Sequence, residues 1–251
     1  MRKPRLEGKR AIVTGATRGL GLAIATELAR EGARVAITYR KSDDDAEAAR
    51  AQVAAAAGGT APLVFKGTVA DKSHADDVVA KTSAAWGGVD ILVNAAGVTR
   101  ILPIALLEEA DWDEVMSVNV KGVYLFSRAV LKPMIRAKQG GHILTIGSFA
   151  SERVIEAPVH YAAAKSAVRG FTEALAREVG RYGILVNVLA PGVLDVGLGT
   201  LLPQHRLDEY KSQCALGRIG TAEEIAKLAA FLVSDDNKLM TGAKLAADGG
   251  V

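Results

Sequence analysis

Tyr161 and Lys165 are separated by Ala162, Ala163 and Ala164, so on a helix they stand one turn apart on the same face. A phenol titrates near 10 and is a weak acid at neutral pH, but a neighbouring ammonium lowers that value and makes it a usable general acid or base. The alanines leave room for a ligand to approach. Taken alone, the spacing also suits two ordinary surface side chains. A second pattern, Thr14-Gly15-Ala16-Thr17-Arg18-Gly19-Leu20-Gly21, places glycines where a backbone turns sharply and a phosphate must approach N–H groups at a helix N-terminus. It follows an apolar run and precedes a helical pattern, the context in which such a motif reads as a dinucleotide fingerprint. A third, Thr38-Tyr39-Arg40-Lys41, ends the second apolar run. An acid there binds a ribose 2′-hydroxyl and a cation accommodates a 2′-phosphate. No acid occurs before Asp43, so Arg40, aided by Arg18, is expected to clamp that phosphate, which makes NADP(H) the expected cofactor. The alternative is two solvated surface arginines.

The elements that must position these groups alternate strictly. Short apolar runs at 11–14, 34–39, 63–65, 90–93, 142–146, 184–189 and 243–246 are separated by helical patterns over 19–30, from about 43, about 73–86, 111 to about 138, about 159–181 and 222–233. Strand and helix in alternation imply parallel strands joined by right-handed crossovers. The expectation is an α/β fold, a single Rossmann-like doubly wound parallel sheet of about seven strands with helices on both faces. Its ligand belongs at the carboxyl ends of the strands, near the topological switch point. Pro133 is expected to kink or close the long helix. Residues 193–213 break the alternation with Gly197, Gly199, Pro203 and a short polar helical run at 207–212, which reads as a substrate lid. Residues 1–251 are read as one catalytic domain.

In chain order, the glycine motif, Asn94-Ala95-Ala96-Gly97, Asn119, Ser148, Tyr161, Lys165 and Pro191-Gly192 together resemble the short-chain dehydrogenase/reductase family across essentially the whole chain. The resemblance implies that Tyr161 protonates the alkoxide formed when a carbonyl accepts hydride, while Ser148 hydrogen-bonds the same oxygen. It implies that Lys165 holds the nicotinamide ribose and lowers the pKa of Tyr161, and that Asn119 holds a water connecting Lys165 to solvent. The implied cofactor lining is Gly15, Thr17, Arg18, Gly19, Leu20 and Gly21 of the turn, with Arg40, Asn94, Gly97, Gly192 and Val193, the last through backbone bonds to the carboxamide. Two positions depart from the pattern. Val69, within Thr68-Val69-Ala70-Asp71, stands where an aspartate often holds adenine, so a backbone contact is expected there. Val196 stands where a threonine often meets the nicotinamide amide. A homotetramer built on paired long helices and the terminal stretch 242–251 is also implied.

Within the family, Leu144-Thr145-Ile146-Gly147-Ser148 and Leu175-Ala176-Arg177-Glu178-Val179 look most like 3-oxoacyl carrier-protein reductases. That likeness implies NADPH-dependent reduction of a 3-oxoacyl thioester or related carbonyl, free or carrier-bound. A sugar, polyol or secondary-alcohol dehydrogenase shares much of the pattern, and a non-catalytic NADP-binding sensor is a third reading. Arg136, Lys138 and Arg181 could supply a basic patch for an acidic carrier protein, although Gln139 and Tyr182 stand where further basic residues are usual. One pocket wall is expected from 149–160, with Arg153, Glu156 and His160, and Leu198, Leu201 and Leu202 could meet an apolar substrate portion. Composition excludes other classes. The 31 basic and 28 acidic residues are spread along the chain, so a net charge of +3 offers no reason for a nucleic-acid partner. The single cysteine, Cys214, has no metal-ligand neighbours, which argues against a metal site and fits a cytoplasmic protein. No run of ~18 apolar residues suggests a membrane span.

Overall fold

A computed structural model describes residues 3–151 and 157–251, apart from the side chain of Leu198. Arg153 and Glu156 lie outside the described residues. Seven parallel strands form one sheet: β1 (Arg10–Val13), β2 (Arg34–Tyr39), β3 (Leu63–Lys66), β4 (Ile91–Asn94), β5 (Gly141–Ile146), β6 (Ile184–Pro191) and β7 (Lys244–Ala247). Their order is β3-β2-β1-β4-β5-β6-β7, so the chain winds outward from β1, returns to β4 and winds the other way. This reversal opens a crevice at the carboxyl ends of β1 and β4.

The helices are α1 (Gly19–Arg30), α2 (Asp43–Ala56), α3 (Lys72–Trp86), α4 (Glu109–Met116), α5 (Gly122–Ala137), α6 (Val159–Val179), α7 (Gln204–Gln213) and α8 (Ala222–Leu232). Local chemistry sets several starts. Ser42 accepts the Asp45 N–H at the head of α2, Asp71 accepts the Ser73 N–H at α3, and Thr221 with Glu224 forms a capping box at α8. The strand residues of β4 are all buried, as helices on both faces require. On one face Ile24, Leu28, Ile225 and Ala229 pack α1 and α8 against the sheet, and on the other Phe126, Val130, Leu175 and Val179 do so from α5 and α6.

The long helix differs from its sequence reading. Pro133 lies inside α5, which continues to Ala137 and ends where Lys138 takes φ +55° ahead of Gly140. The interruption comes earlier, as a π-turn over Ser117–Lys121 between α4 and α5. Nothing in the local sequence marks it, because a π-turn is stabilised by what packs against it. Residues 193–213 form a short 3₁₀ turn, Gly197–Leu201, followed by α7, whose Tyr210 is buried with Val193 and Cys214 in a small cluster of its own. Val196 packs against the main core.

At the amino edge of the sheet, Arg10 clamps Asp90 with its Nε and Nη2 at 2.7 and 2.6 Å, while its backbone N–H also donates to Asp90 at 2.9 Å. Both side chains are largely buried, and the guanidinium holds the Asp90 carboxyl below the ordinary carboxylate range despite its burial. Asp90→Ala is therefore expected to cost about 2–3 kcal/mol in a urea melt at pH 7, because a guanidinium is left half-buried without its partner. A group with a depressed folded pKa stabilises above its unfolded value, near 3.9, and loses that contribution as pH falls. The difference between wild type and variant should thus shrink as the melt is repeated below pH 4.

Candidate active site

At the end of β1, Thr14 turns its hydroxyl toward the turn after β4 and accepts the N–H groups of Ala95 and Ala96 at 3.1 and 3.2 Å. Thr38 of β2 binds the glycine turn from the other side: its hydroxyl accepts the Gly15 N–H at 3.3 Å and its carbonyl the Ala16 N–H at 3.1 Å. Gly15 has φ +64°, and a Cβ there would lie 2.7 Å from the Ala96 Cα. A Cβ on Gly21 would collide with the Gly15 carbonyl, so α1 rests directly on the turn. Gly19 opens the helix at φ +55°, and Arg18 supplies no side-chain cap. The first N–H groups of α1 are thus free of capping side chains at the mouth of the crevice, the donor set that an anionic pyrophosphate requires. Thr17 and Gly19 are partly exposed beside it, while Leu20 packs its side chain on the core and offers only its backbone. These residues fit a dinucleotide.

The groups expected to transfer protons gather at the end of β5. Ser148 stands two residues beyond that strand, buried, and its Oγ accepts the Ala150 N–H at 3.2 Å. Tyr161 lies in the first turn of α6 and hydrogen-bonds Ser148. One turn later Lys165 is buried, donates to the Ile146 carbonyl at 2.7 Å and sits 5.5 Å from the centre of the Tyr161 ring. Burial lowers the Lys165 ammonium to about 8. It also raises the Tyr161 phenol above its ordinary value, with the Ser148 bond only partly offsetting the rise. The sequence expectation that Lys165 lowers the phenol is therefore reversed in the protein alone, because desolvation of the phenol outweighs every other influence on it. At neutral pH the phenol carries its proton and the ammonium keeps its charge.

Asn119 lies in the π-turn. Its Oδ1 accepts the Val98 N–H and its Nδ2 donates to the Val98 carbonyl, both at 2.9 Å, which clamps the loop after β4. Gly97 lies against this clamp, where a Cβ would be 3.5 Å from the Asn119 Oδ1 and 3.9 Å from the Lys165 Nζ. Other expected lining residues serve elsewhere. The Asn94 amide is buried and reaches Ser127 and Thr145 at 3.3 and 3.5 Å, so it joins β4, β5 and α5 beneath the crevice. Val69 is buried against the start of α5, where a Cβ on Gly122 would meet its Cγ2 at 2.7 Å. Gly192 is required by packing, since a Cβ would strike the Tyr210 hydroxyl and approach the Asp248 Cα to 2.8 Å.

Val193 is occupied as well. Its carbonyl accepts the Gly220 N–H at 3.0 Å, and its N–H bonds the Tyr210 hydroxyl. Asp195 donates to the Gly220 carbonyl at 3.1 Å, completing a parallel bridge between Leu194 and Gly220. In such a bridge the middle residue points its own N–H and C=O the other way. Leu194, which the sequence reading passed over, is therefore the residue after Pro191-Gly192 whose backbone groups face away from the bridge. Thr14 and Thr38 were also missed; a hydroxyl at a strand end gives no sign of its partner until the neighbouring strand is known.

Arg40 donates to the Glu114 carboxylate at 2.9 Å, both side chains half-exposed. Arg18 is exposed and has no ion pair among the described residues. Asp43 is held by the Tyr39 hydroxyl at 2.7 Å and by Lys66 at 2.8 Å, which lower its pKa. His160 is fully buried with neither ring nitrogen hydrogen-bonded, and burial lowers its pKa against the pull of Asp111. It is a packed residue. Leu202 joins the small cluster around Tyr210 and Leu201 is exposed. Arg136, Lys138 and Arg181 lie at the ends of α5 and α6, immediately before β5 and β6, at the amino edge of the sheet. They stand at the end opposite Ser148 and Tyr161, so they form no patch at this chain's own site mouth. Among the described residues no His, Cys, Asp or Glu cluster could hold a metal ion.

The burial of Lys165 has a measurable cost. Its folded pKa lies below the unfolded value near 10.4, so the unfolded chain binds more protons between pH 8 and 10.4 and stability rises with pH across that window. Below pH 8 the full penalty, about 3 kcal/mol, is present. Lys165→Met should accordingly stabilise the protein by about 1–2 kcal/mol at pH 7 after loss of the Ile146 hydrogen bond. Urea melts should show that gain vanish by about pH 10; equal or lower stability of the variant at pH 7 would refute the account.

The model of the family described as Enoyl-(Acyl carrier protein) reductase matches residues 15–251. The 3-oxoacyl-(acyl-carrier-protein) reductase of Escherichia coli is 39% identical over 245 residues, covering 98% of both chains. That of Pseudomonas aeruginosa is 40% identical over 249 residues, again with 98% of both covered. Among solved structures, a short-chain dehydrogenase/reductase from Serratia marcescens superposes with a TM-score of 0.91 at 38% identity, and one from Burkholderia cenocepacia in complex with NADP with 0.90 at 38%, each covering 98% of both chains. No described helix is long and apolar enough to cross a membrane. With this extent of similarity, and with its glycine turn, Ser148, Tyr161 and Lys165 brought to one edge of a doubly wound sheet, the chain belongs to the short-chain dehydrogenase/reductase family.

Proposed function

We propose that this oxidoreductase uses NADPH to reduce a ketone, foremost a 3-oxoacyl thioester, to the secondary alcohol. The observation that carries the reading is the set of Ser148 and Lys165, both buried, with the partly buried Tyr161 between them at the end of β5, on the same carboxyl edge of the sheet as the glycine turn after β1. The bound cofactor supplies hydride to the carbonyl carbon. Ser148 donates a hydrogen bond to the carbonyl oxygen as negative charge develops, and Tyr161 transfers its phenolic proton to that oxygen. The phenolate left behind faces the Lys165 ammonium, which stabilises it. Asn119 holds the loop carrying Gly97 against Lys165 and so keeps the ammonium in place.

The phosphorylated cofactor is favoured because Arg40 follows β2 directly and the exposed Arg18 heads α1 after the neighbouring β1, while Asp43 is engaged by Tyr39 and Lys66. Residues 193–213 act as the substrate lid, with Leu194 offering backbone groups to the carboxamide. A sugar or secondary-alcohol dehydrogenase is the second reading, favoured by the placement of Arg136, Lys138 and Arg181 away from this chain's site mouth. The protein is further proposed to be cytoplasmic and homotetrameric. Trp112 and Tyr124 are 40% and 47% exposed on α4 and α5, and β7 is an unpaired sheet edge. Size-exclusion chromatography with light scattering should return four chain masses; a monomer would end the tetramer proposal.

The activity is tested by NADPH oxidation with an acetoacetyl thioester, beside NADH and beside Tyr161→Phe. Turnover should fall at least ~100-fold in the variant, which lacks the transferable proton. The rate should also decline as pH rises through about 8, where Lys165 loses its charge. Tight NADPH binding without thioester turnover, followed by oxidation of an alcohol or sugar panel, would transfer the assignment to the second reading.

A further inference from the structure

The Arg40–Glu114 ion pair lies where the cofactor's adenosine end must enter. Arg40 follows β2 directly, and Glu114 belongs to α4, which follows β4. Because β1 lies between β2 and β4, the pair links segments that follow the two strands on either side of the strand that feeds the glycine turn. It joins residues 74 positions apart across the crevice that the topological switch creates. Glu114 is the only carboxylate paired with the cations Arg18, Arg40 and Lys41 among the described residues. Asp43, the acid nearest in sequence, is turned to Lys66 at the end of β3.

We infer that Glu114 is a specificity-determining residue for the cofactor. The inference rests on the reading of Arg40 as the partner of the 2′-phosphate. Glu114 holds the guanidinium in the free protein, and a 2′-phosphate must displace it, since two anions then compete for the same fork of donors. An unphosphorylated dinucleotide has no anion at that position and leaves the pair intact. Glu114 therefore lowers affinity for the phosphorylated cofactor selectively and narrows the discrimination that Arg40 creates. The side chains are 47% and 39% exposed, so the carboxylate can swing into solvent when displaced, and the pair is one of modest strength.

The test is a binding titration of NADPH and of NADH, read by nucleotide fluorescence, on wild type, Glu114→Gln, Arg40→Ala and the double variant. Glu114→Gln should tighten NADPH roughly two- to fivefold and leave NADH unchanged. Arg40→Ala should weaken NADPH about tenfold or more, and adding Glu114→Gln to it should then change nothing. If Arg40→Ala leaves NADPH binding intact, the phosphate reading of Arg40 fails and the inference with it. If Arg40→Ala weakens NADPH while Glu114→Gln has no effect, weakens it, or shifts NADPH and NADH equally, Arg40 keeps its role and the inference about Glu114 is overturned.

Discussion

The 2.7 Å bond from the Lys165 ammonium to the Ile146 carbonyl is the contact on which the site depends. It places a charge in a buried position, at a cost that the fold must meet elsewhere, and it ties α6 to the last residue of β5. With that tie made, Tyr161 one turn earlier is held against Ser148 two residues beyond the strand. The same burial that weakens the ammonium keeps the phenol protonated, so a neutral phenol and a charged ammonium stand together at neutral pH. A site that stores such a penalty is a familiar departure from maximal stability where chemistry requires it.

The cofactor cradle has a different basis. It is made of backbone, and side chains serve mainly to bring backbones together. Thr14 and Thr38 bind the turns of β4 and β1, and Gly15 and Gly21 remove the atoms that would keep α1 from the turn. Asn94 and Asn119, both polar and buried, work as internal clamps: one joins strands and helix below the crevice, the other fixes the loop above it. Asn119 is engaged through both its oxygen and its nitrogen and Asn94 through its nitrogen, which restricts the geometry of the carboxyl edge. Charge enters at the periphery, through Arg18, Arg40 and Glu114.

At the substrate end, α7 is held by Tyr210, whose hydroxyl donates to the Asp248 carbonyl at 2.8 Å and whose ring meets Phe149 edge-on at 5.4 Å. Helix α7 is therefore packed against the residue next to Ser148 and against the Gly192 backbone. This links the position of α7 to that of the segment that follows β6.

Much of this was legible in the amino-acid order. Strand and helix periodicities placed nearly every element, because buried parallel strands and amphipathic helices leave clear apolar signatures, and the glycine turn announced a helix N-terminus. Tyr161 and Lys165 were readable as a pair because their spacing is local. What the sequence could not contain was the relation between distant segments. The π-turn at Ser117–Lys121, the inward turn of Asn94, the bridge that leaves the Leu194 backbone groups turned away from it, the pairing of Arg40 with Glu114 and the upward shift of the Tyr161 phenol all depend on neighbours many residues away. Sequence by itself determined the fold class and the candidates proposed for the reacting groups, since these follow from periodicity and residue type. Tertiary structure alone decided hydrogen-bond partners, exposure and protonation, because desolvation and Coulomb interactions act through space and take no account of order along the chain.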